Sequence, residues 1–154
     1  MLKDQIDLLS EFNAAEVEYV VIGGYAVNAY GVPRMTKDLD VLIRADKRNS
    51  EAVYRALAAF GAPLAETSPE DFQDHESIFQ VGVEPGRIDI IQAIPGVTFD
   101  QAWQNRVIAI IDDGLQVSFI SRDDLIANKL ESGRPQDLAD VDHLRRAART
   151  QPVK

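Results

Sequence analysis

The feature that most constrains the fold is a pair of adjacent glycines between two apolar segments. Residues 17–22 are apolar except for Glu18, a pattern typical of a buried strand, and this run ends at the glycines. The second apolar run, residues 38–44, contains Asp38 and Asp40. Side chains two positions apart on a strand point to the same face, so we expect these two carboxylates to project together.

Two carboxylates at close range repel each other, which raises the pKa of at least one carboxyl unless a divalent cation lies between them. A third acid, Asp89, stands inside the apolar run "RIDIIQA", where a charge is unfavourable without a partner. Three acids are what a two-metal site requires. The alternative is that Asp38 and Asp40 lie on the solvent face of an edge strand and that Asp89 faces water in a hairpin.

The residue types available limit the kind of metal. The chain has no cysteine and only two histidines, His75 and His143, so thiolate zinc sites are excluded. Oxygen ligands from a few carboxylates suit Mg²⁺ (or Mn²⁺) bound jointly with substrate phosphates. The acids therefore predict a magnesium site.

Composition sets the broad class. The chain has 154 residues, 45% hydrophobic and 27% charged, which is typical of one soluble domain. No apolar run approaches the roughly 20 residues of a membrane span, and no signal peptide is evident, so we expect a cytoplasmic protein without membrane contact. The net charge of −9 repels nucleic acid, so a polyanionic substrate needs a local basic site.

Periodicity and turn residues predict the order of the elements. A helix with Leu2, Ile6, Leu9 and Phe12 on one face precedes the first strand, and a short helix follows the glycines. A helix capped by Asn49 or Ser50 and ended by Gly61 follows the second strand. Residues 63–76 are predicted to be a polar surface loop. The remaining predictions are a hairpin around "EPG", a short helix at residues 98–106, a hairpin around residues 112–114, a helix capped by Ser121 and a helix starting at Pro135.

At this point the sequence resembles the nucleotidyltransferase superfamily with the DNA polymerase β-like fold. The pattern of that superfamily is an apolar residue, Gly-Gly or Gly-Ser, a short spacer, Asp-apolar-Asp/Glu and a third acid on a later strand. Gly23 and Gly24, separated by thirteen residues from Asp38 and Asp40, and then Asp89, match all its parts. The resemblance implies an α+β fold, with a mixed twisted sheet flanked by helices and a C-terminal helical segment.

The C-terminal part is similar to small bacterial members related to abortive-infection nucleotidyltransferase toxins. Those proteins carry a Lys in a helix after the sheet, followed by an Arg-x-x-Asp or Arg-x-Lys-Asp element, which Lys129, Arg134 and Asp137 match, with Asp140 one turn further on. Gln136 stands where the toxins usually have Lys. We expect one domain over residues 1–154, with a core at about residues 17–120 and C-terminal helices at about 122–148.

The resemblance implies transfer of a nucleoside monophosphate from an NTP to an acceptor hydroxyl. The three acids would bind Mg²⁺ (or Mn²⁺), with Asp89 also helping to deprotonate the acceptor. Asp137 and Asp140 would orient the C-terminal cations, or else complement a helix dipole. Phosphates and nucleotide would contact Gly23, Gly24, Tyr25, Arg34, Lys37, Lys129 and Arg134, although the cations among these are equally compatible with a solvated surface.

The acceptor and the partners are open at this stage. The acidic surface favours a protein or small-molecule acceptor over bulk nucleic acid. The similarity to toxins suggests a toxin–antitoxin or defence system with a cognate partner protein. Two other classes remain: a catalytically silent nucleotide- or partner-binding module with the same fold, and a metal-dependent phosphoester hydrolase that uses water as the acceptor.

Overall fold

The computed structural model describes residues 1–111 and 114–150. Within these residues the strands are β1 (Tyr19–Ile22), β2 (Leu39–Ile43), β3 (Ile78–Val81), β4 (Ile88–Ile91), β5 (Val107–Ile111) and β6 (Leu115–Phe119). They form one sheet with the order β3-β4-β2-β1-β6-β5. The β2–β4 and β1–β6 pairs are parallel and the other pairs are antiparallel, so the sheet is mixed.

Helices flank this sheet, and two of them follow β6 in the C-terminal part of the described chain. In the described residues they are α1 (Lys3–Ala14), α2 (Gly23–Ala29), α3 (Lys47–Phe60), α4 (Phe99–Gln104), α5 (Arg122–Ser132) and α6 (Pro135–Thr150), with a 3₁₀ helix at Pro69–Gln73. The predicted α+β fold with a mixed sheet and C-terminal helices is confirmed. None of the helices in this part of the chain is long and apolar enough to cross a bilayer.

The two faces of the sheet differ. One face carries the alternate residues that include Tyr19, and it packs on α1, where the rings of Phe12 and Tyr19 lie 5.6 Å apart. The 3₁₀ helix covers the same face through Phe72, whose ring is 5.4 Å from that of Phe79. The other face is apolar at its centre but polar or exposed at the β3 edge, and we call it the open face. Asp40 and Asp89 lie on the open face.

Helix ends follow the predicted signals in most cases. Ser121 caps α5 by accepting a hydrogen bond from the backbone N–H of Asp124, and α5 ends at Gly133 in the left-handed conformation. Pro135 opens α6, and the predicted hairpins β3–β4 and β5–β6 form. Asp112 and Asp113, part of the predicted turn of the second hairpin, lie outside the described residues.

The predicted cap of α3, Asn49 or Ser50, is wrong by three or four residues. Asp46 caps the helix, since its carboxylate accepts the backbone N–H of Asn49. Asn49 instead lies inside the helix and is buried, and its side-chain amide donates to the carbonyls of Glu18 and Arg44. Asn49 is thus of a residue type that often caps helices, but here it forms a long-range contact that the local sequence pattern does not predict.

Two other local predictions need correction. The segment predicted as a polar loop contains the 3₁₀ helix, because Phe72 is fully buried against the sheet and anchors it. In α1 the buried face includes Gln5 and Leu8 but not Leu2, which is 47% exposed. Gln5 tolerates burial because its Oε1 accepts hydrogen bonds from the backbone of Leu2 and from the hydroxyl of Tyr25.

Candidate active site

Three carboxylates lie at the start of the parallel strands β2 and β4. Asp40 is opposite Asp89 in the strand register, and Asp38 immediately precedes β2. Paired residues of neighbouring strands point to the same face, so Asp40 and Asp89 lie side by side on the open face. On the other side of Asp89 the register places the exposed Gln80 of β3. The structure brings the three predicted acids together, and we call Asp38, Asp40 and Asp89 the acid row. Gln80 lies beside this row.

The environment of Asp40 disfavours a negative charge. Burial raises the pKa of Asp40 to about 6, and the charges of Asp89 and Asp38 and a hydrogen bond with Asp89 act in the same direction. The charge of Arg87 lowers the pKa of Asp40 but does not outweigh these effects. The acid row is therefore short of positive charge, which is the condition in which a carboxylate gains most from a bound cation.

The glycine pair leaves space for this row. A Cβ on Gly23 would lie 2.4 Å from Oδ2 of Asp40, and a Cβ on Gly24 would lie 2.6 Å from Oγ1 of Thr36. Gly23 also has a φ of +68°, in the left-handed region that favours glycine. Backbone conformation and side-chain space thus both favour glycine at position 23. The structure gives Gly23 a role toward Asp40 in addition to any role toward phosphate.

Arg87 links two of the acids and was missed in the sequence. Its Nη2 is 2.7 Å from Oδ2 of Asp38 and 3.4 Å from Oδ2 of Asp89, and its Nε donates to Oδ1 of Asp89 at 3.1 Å. The available signal was the spacing in "GRIDII", since residues two apart on a strand share a face. A basic residue two positions before a buried acid is a candidate partner for it.

The donor set fits a hard divalent cation such as Mg²⁺. All three side chains offer carboxylate oxygens, and Oδ1 of Asp38 is buried without a hydrogen-bond partner among the described residues. In that part of the chain no group of three or more His, Cys, Asp or Glu side chains is positioned to hold a metal ion. The guanidinium of Arg87 lies between Asp38 and Asp89, so full coordination requires it to move.

The predicted C-terminal residues form a second charged cluster, where the last turn of α5 meets the first turns of α6. The Lys129 ammonium is buried and lies 2.9 Å from Oδ2 of Asp140 and 3.5 Å from Oδ1 of Asp137. Burial raises the pKa of Asp137, but the hydrogen bond from Arg134 and the charge of Lys129 outweigh it, so the pKa lies below its ordinary value. Both buried acids are directed at cations.

Arg34 and Arg134 connect this cluster to the rest of the site. The guanidinium of Arg34, in the loop before Asp38, forms an ion pair with Asp140 and so ties that loop to α6. Arg134 donates from Nε to Oδ2 of Asp137 at 2.7 Å, and its side chain is 76% exposed. Besides this pairing, the charge of Asp40 contributes to raising the pKa of Arg134. Arg134 thus lies within electrostatic reach of the acid row.

Tyr25 and Lys37 lie near the acids but differ in their contacts. The Tyr25 hydroxyl donates to Oε1 of Gln5 at 2.9 Å, and burial raises the pKa of Tyr25, with a smaller contribution from the charge of Asp38. Lys37 is exposed, and no ion pair joins it to another described residue. Its carbonyl accepts the backbone N–H of Gly86 at 2.9 Å, which links the loop before β2 to the β3–β4 turn.

A mixed sheet with glycines at the end of β1, two acids at β2 and a third at β4 is a nucleotidyltransferase fold, as comparison with solved structures confirms. The chain belongs to the family described as nucleotidyltransferase of unknown function (DUF6036), whose model matches residues 1–147. No curated relative matches the sequence.

Three solved structures illustrate the similarity of fold. The antibiotic-resistance factor ANT(2'')-Ia is 19% identical with a TM-score of 0.59, over 97% of this chain and 85% of that chain. The lincosamide antibiotic adenylyltransferase LnuA is 16% identical with a TM-score of 0.55, over 94% and 96%. The Thermotoga maritima protein TM1012 is 14% identical with a TM-score of 0.57, over 98% and 97%. At these identities the similarity establishes the fold.

Proposed function

We propose that this protein is a Mg²⁺- or Mn²⁺-dependent nucleotidyltransferase that transfers a nucleoside monophosphate from an NTP to an acceptor hydroxyl. The observation that carries the proposal is the register of Asp40 with Asp89, beside Asp38 and against Gly23. A bound cation would supply the positive charge that this row of acids lacks. Family membership supports the same reaction class.

In this proposal each side chain has a stated task. Asp38 and Asp40 would hold the metal, which would neutralise charge on the triphosphate, and Asp89 would complete the metal site. Asp89 accepts the proton of the acceptor hydroxyl while the hydroxyl oxygen bonds to the α-phosphorus, and the bond from that phosphorus to the leaving oxygen breaks to release pyrophosphate. Arg134 is the best-placed cation for phosphate, since it is exposed and lies within reach of Asp40. The backbone at the glycine pair contacts the phosphates.

Lys129 and Arg34 have a less direct task in this mechanism. Lys129 is buried and already contacts Asp137 and Asp140, so we assign it to holding α6 and Arg134 in place. Arg34 holds the loop before Asp38 against Asp140. Tyr25 and the exposed Lys37 flank the nucleotide. Catalysis then comes mainly from positioning and charge neutralisation.

We infer a small molecule or a protein, rather than bulk nucleic acid, as the acceptor. The net charge of −9 disfavours a long polyanion. The open face beside Asp89 combines the amide of Gln80 with Ile78, which is 59% exposed, and this mixed surface suits a compact polar–apolar acceptor. Among proteins of this fold, ANT(2'')-Ia is known in complex with adenylyl-2''-tobramycin and LnuA in its lincomycin-bound form.

The C-terminal similarity to toxins supports a further proposal, a toxin–antitoxin or defence role with a cognate partner protein. The element that carries it is Lys129, Arg134 and Asp137. Its test is co-expression with the protein of a neighbouring reading frame, where relief of growth inhibition is the expected result. Equal growth with and without this chain would contradict a toxin role.

The test of the reaction uses α-labelled NTPs, Mg²⁺ or Mn²⁺ and a cell extract as the source of acceptors, followed by separate digestion with protease and RNase. We expect metal-dependent pyrophosphate release and label that resists RNase. The variants Asp40→Asn and Asp89→Asn should abolish labelling, whereas Asp100→Asn, an 82% exposed acid outside the row, should not. NTP binding without pyrophosphate release would favour the silent module, and free NMP without labelled acceptor would favour the hydrolase.

A further inference from the structure

Arg87 occupies the position between two of the predicted metal ligands. Its guanidinium contacts Asp38 at 2.7 Å and Asp89 at 3.1 and 3.4 Å, and its Nη1 is 3.7 Å from a carboxylate oxygen of Glu84. The side chain is 28% exposed and lies on the same strand face as Asp89. A planar guanidinium that spans two carboxylates is a strong and geometrically specific arrangement.

The same two carboxylates cannot hold Arg87 and a fully coordinated cation at once. Three of the four oxygens of Asp38 and Asp89 accept hydrogen bonds from Arg87, so a cation that binds both carboxylates would have to displace the guanidinium. Three carboxylates face one guanidinium here, and Oδ1 of Asp38 is buried without a hydrogen-bond partner among the described residues. Arg87 thus compensates only part of the charge of the row, and a divalent cation compensates more.

We propose that Arg87 is an intramolecular counter-ion: it pairs with Asp38 and Asp89 while no metal is bound, and it is released when metal and nucleotide bind together. This inference rests on the proposed function. The triphosphate offers the released guanidinium a new anionic partner, so nucleotide binding removes the competitor of the metal. Metal and NTP therefore bind with positive coupling, and free metal binds weakly on its own.

The experiment measures Mn²⁺ affinity without nucleotide, by the electron paramagnetic resonance signal of free Mn²⁺, in the full chain and in three variants. Arg87→Gln removes the charge and the bridge, and Arg87→Lys keeps the charge but not the two-carboxylate fork. Arg44→Gln is the matched control, because Arg44 bridges Glu18 and Asp100 at the other end of β2. Circular dichroism and melting curves establish that each variant is folded.

We expect both Arg87 variants to bind Mn²⁺ about tenfold more tightly than the wild type, which is within the usual range of coupling between sites, with Arg44→Gln unchanged. The gain in Mn²⁺ affinity on adding a non-hydrolysable NTP should shrink in both Arg87 variants. If Arg87→Gln tightens binding but Arg87→Lys behaves as wild type, the effect is one of charge at a distance and the counter-ion proposal is overturned.

The proposal and the function beneath it fail in different ways. Equal Mn²⁺ affinity in all four proteins, together with Mn²⁺–NTP binding that Asp40→Asn abolishes, would overturn the counter-ion proposal and leave the proposed function standing. No Mn²⁺ binding in any protein, with or without NTP, would overturn both. Because Arg87→Lys retains the charge and most of the volume, it provides the test even if Arg87→Gln does not fold.

Discussion

The two charged clusters of this molecule are built from the same residue types but have opposite electrostatic character. In the acid row, three carboxylates face one guanidinium, one carboxylate oxygen lacks a partner among the described residues, and the pKa of Asp40 is raised to about 6. In the C-terminal cluster each of the two buried acids has at least two cationic or amide donors, and the pKa of Asp137 is lowered.

This difference separates a site that needs a ligand from one that supports it. A cluster whose charges are already compensated gains little from a further ion, whereas an uncompensated row gains stability when a cation arrives. Arg34 and Arg134 connect the two clusters, because each forms an ion pair in the C-terminal cluster. Arg34 lies in the loop before Asp38, and the charge of Asp40 acts on Arg134. The comparison predicts that mutations in the first cluster impair function and those in the second impair folding.

The largest effect is expected from neutralising the acid row. Asp40→Asn should reduce nucleotidyl transfer by about a thousandfold or more, in the range for loss of metal-binding and proton-transfer groups. It should not lower the melting temperature, since removing a charge from a crowded row relieves repulsion. The measurements are pyrophosphate release and a metal-free melting curve. A clear loss of stability in the metal-free variant would contradict the description of the row as uncompensated.

The stability counterpart is Lys129→Met in the C-terminal cluster. Removing one partner of a buried ion-pair network leaves buried charge behind, at a cost of about 3 kcal/mol in the free energy of unfolding. The control is Lys47→Met, whose 82% exposed ammonium pairs with Glu51 and whose loss should have a much smaller effect. Urea denaturation measures both. Equal effects of the two variants would show that the C-terminal cluster is not a structural support.

Much of this site was predictable because it depends on short-range rules. The period of two along a strand places Asp38 and Asp40 together, and the apolar run around Asp89 indicates a strand, whose pairing with β2 is seen in the structure. The sheet and most helix ends follow from periodicity, Ser121, Gly133 and similar boundary residues. The pairing of Asp38 with Asp40 on one face and the order of most elements are predictable at this level, whereas the fold class followed from the family resemblance.

The unpredicted features are long-range contacts between unlike residues. The contact of Arg87 with Asp38 spans 49 positions, and the local spacing indicates a shared face with Asp89 but not this contact. The steric reason for Gly23 exists only because the Asp40 carboxylate approaches it from another strand. Burial of Asn49 and Phe72 likewise depends on neighbours distant in sequence. Sequence patterns indicate which face a side chain occupies, but not what it meets there.

A smaller effect is expected from pH, and it tests the charge of the row directly. The pKa of Asp40 is about 6 in the folded chain and near 3.8 when unfolded, so the folded state binds the proton more tightly. Stability from this group is therefore present below pH 4 and is lost as the pH rises through about 6. The loss at pH 7.5 is at most about 3 kcal/mol and is reduced by solvent, because Asp40 is only partly buried.

Other groups also titrate in this range, so the measurement is the difference between Asp40→Asn and wild type in metal-free buffer. The melting temperature of the variant relative to wild type should rise between pH 5 and pH 7.5, because only the wild type acquires the unfavourable charge. A difference that stays constant across this range would mean that Asp40 titrates as an ordinary exposed carboxyl. Adding Mn²⁺ and NTP should reverse the trend, since the bound cation favours the charged form.

A more modest effect is expected from Gly23→Ala, and a matched glycine isolates its cause. Gly23 and Gly133 have nearly the same left-handed backbone, with φ of +68° and +67°. Alanine at either position should therefore cost about 1–2 kcal/mol for the left-handed conformation. They differ in surroundings: a Cβ at position 23 meets Asp40 Oδ2 at 2.4 Å, whereas at position 133 the nearest atom is 3.7 Å away.

Because the obstructing atom is the tip of a side chain, Asp40 can rotate away at little cost in stability but loses its position in the row. We thus expect similar melting temperatures for the two variants, with the pH-dependent difference and Mn²⁺–NTP binding altered only in Gly23→Ala. Unaltered Mn²⁺–NTP binding in that variant would remove the proposed link between the glycine pair and the acid row.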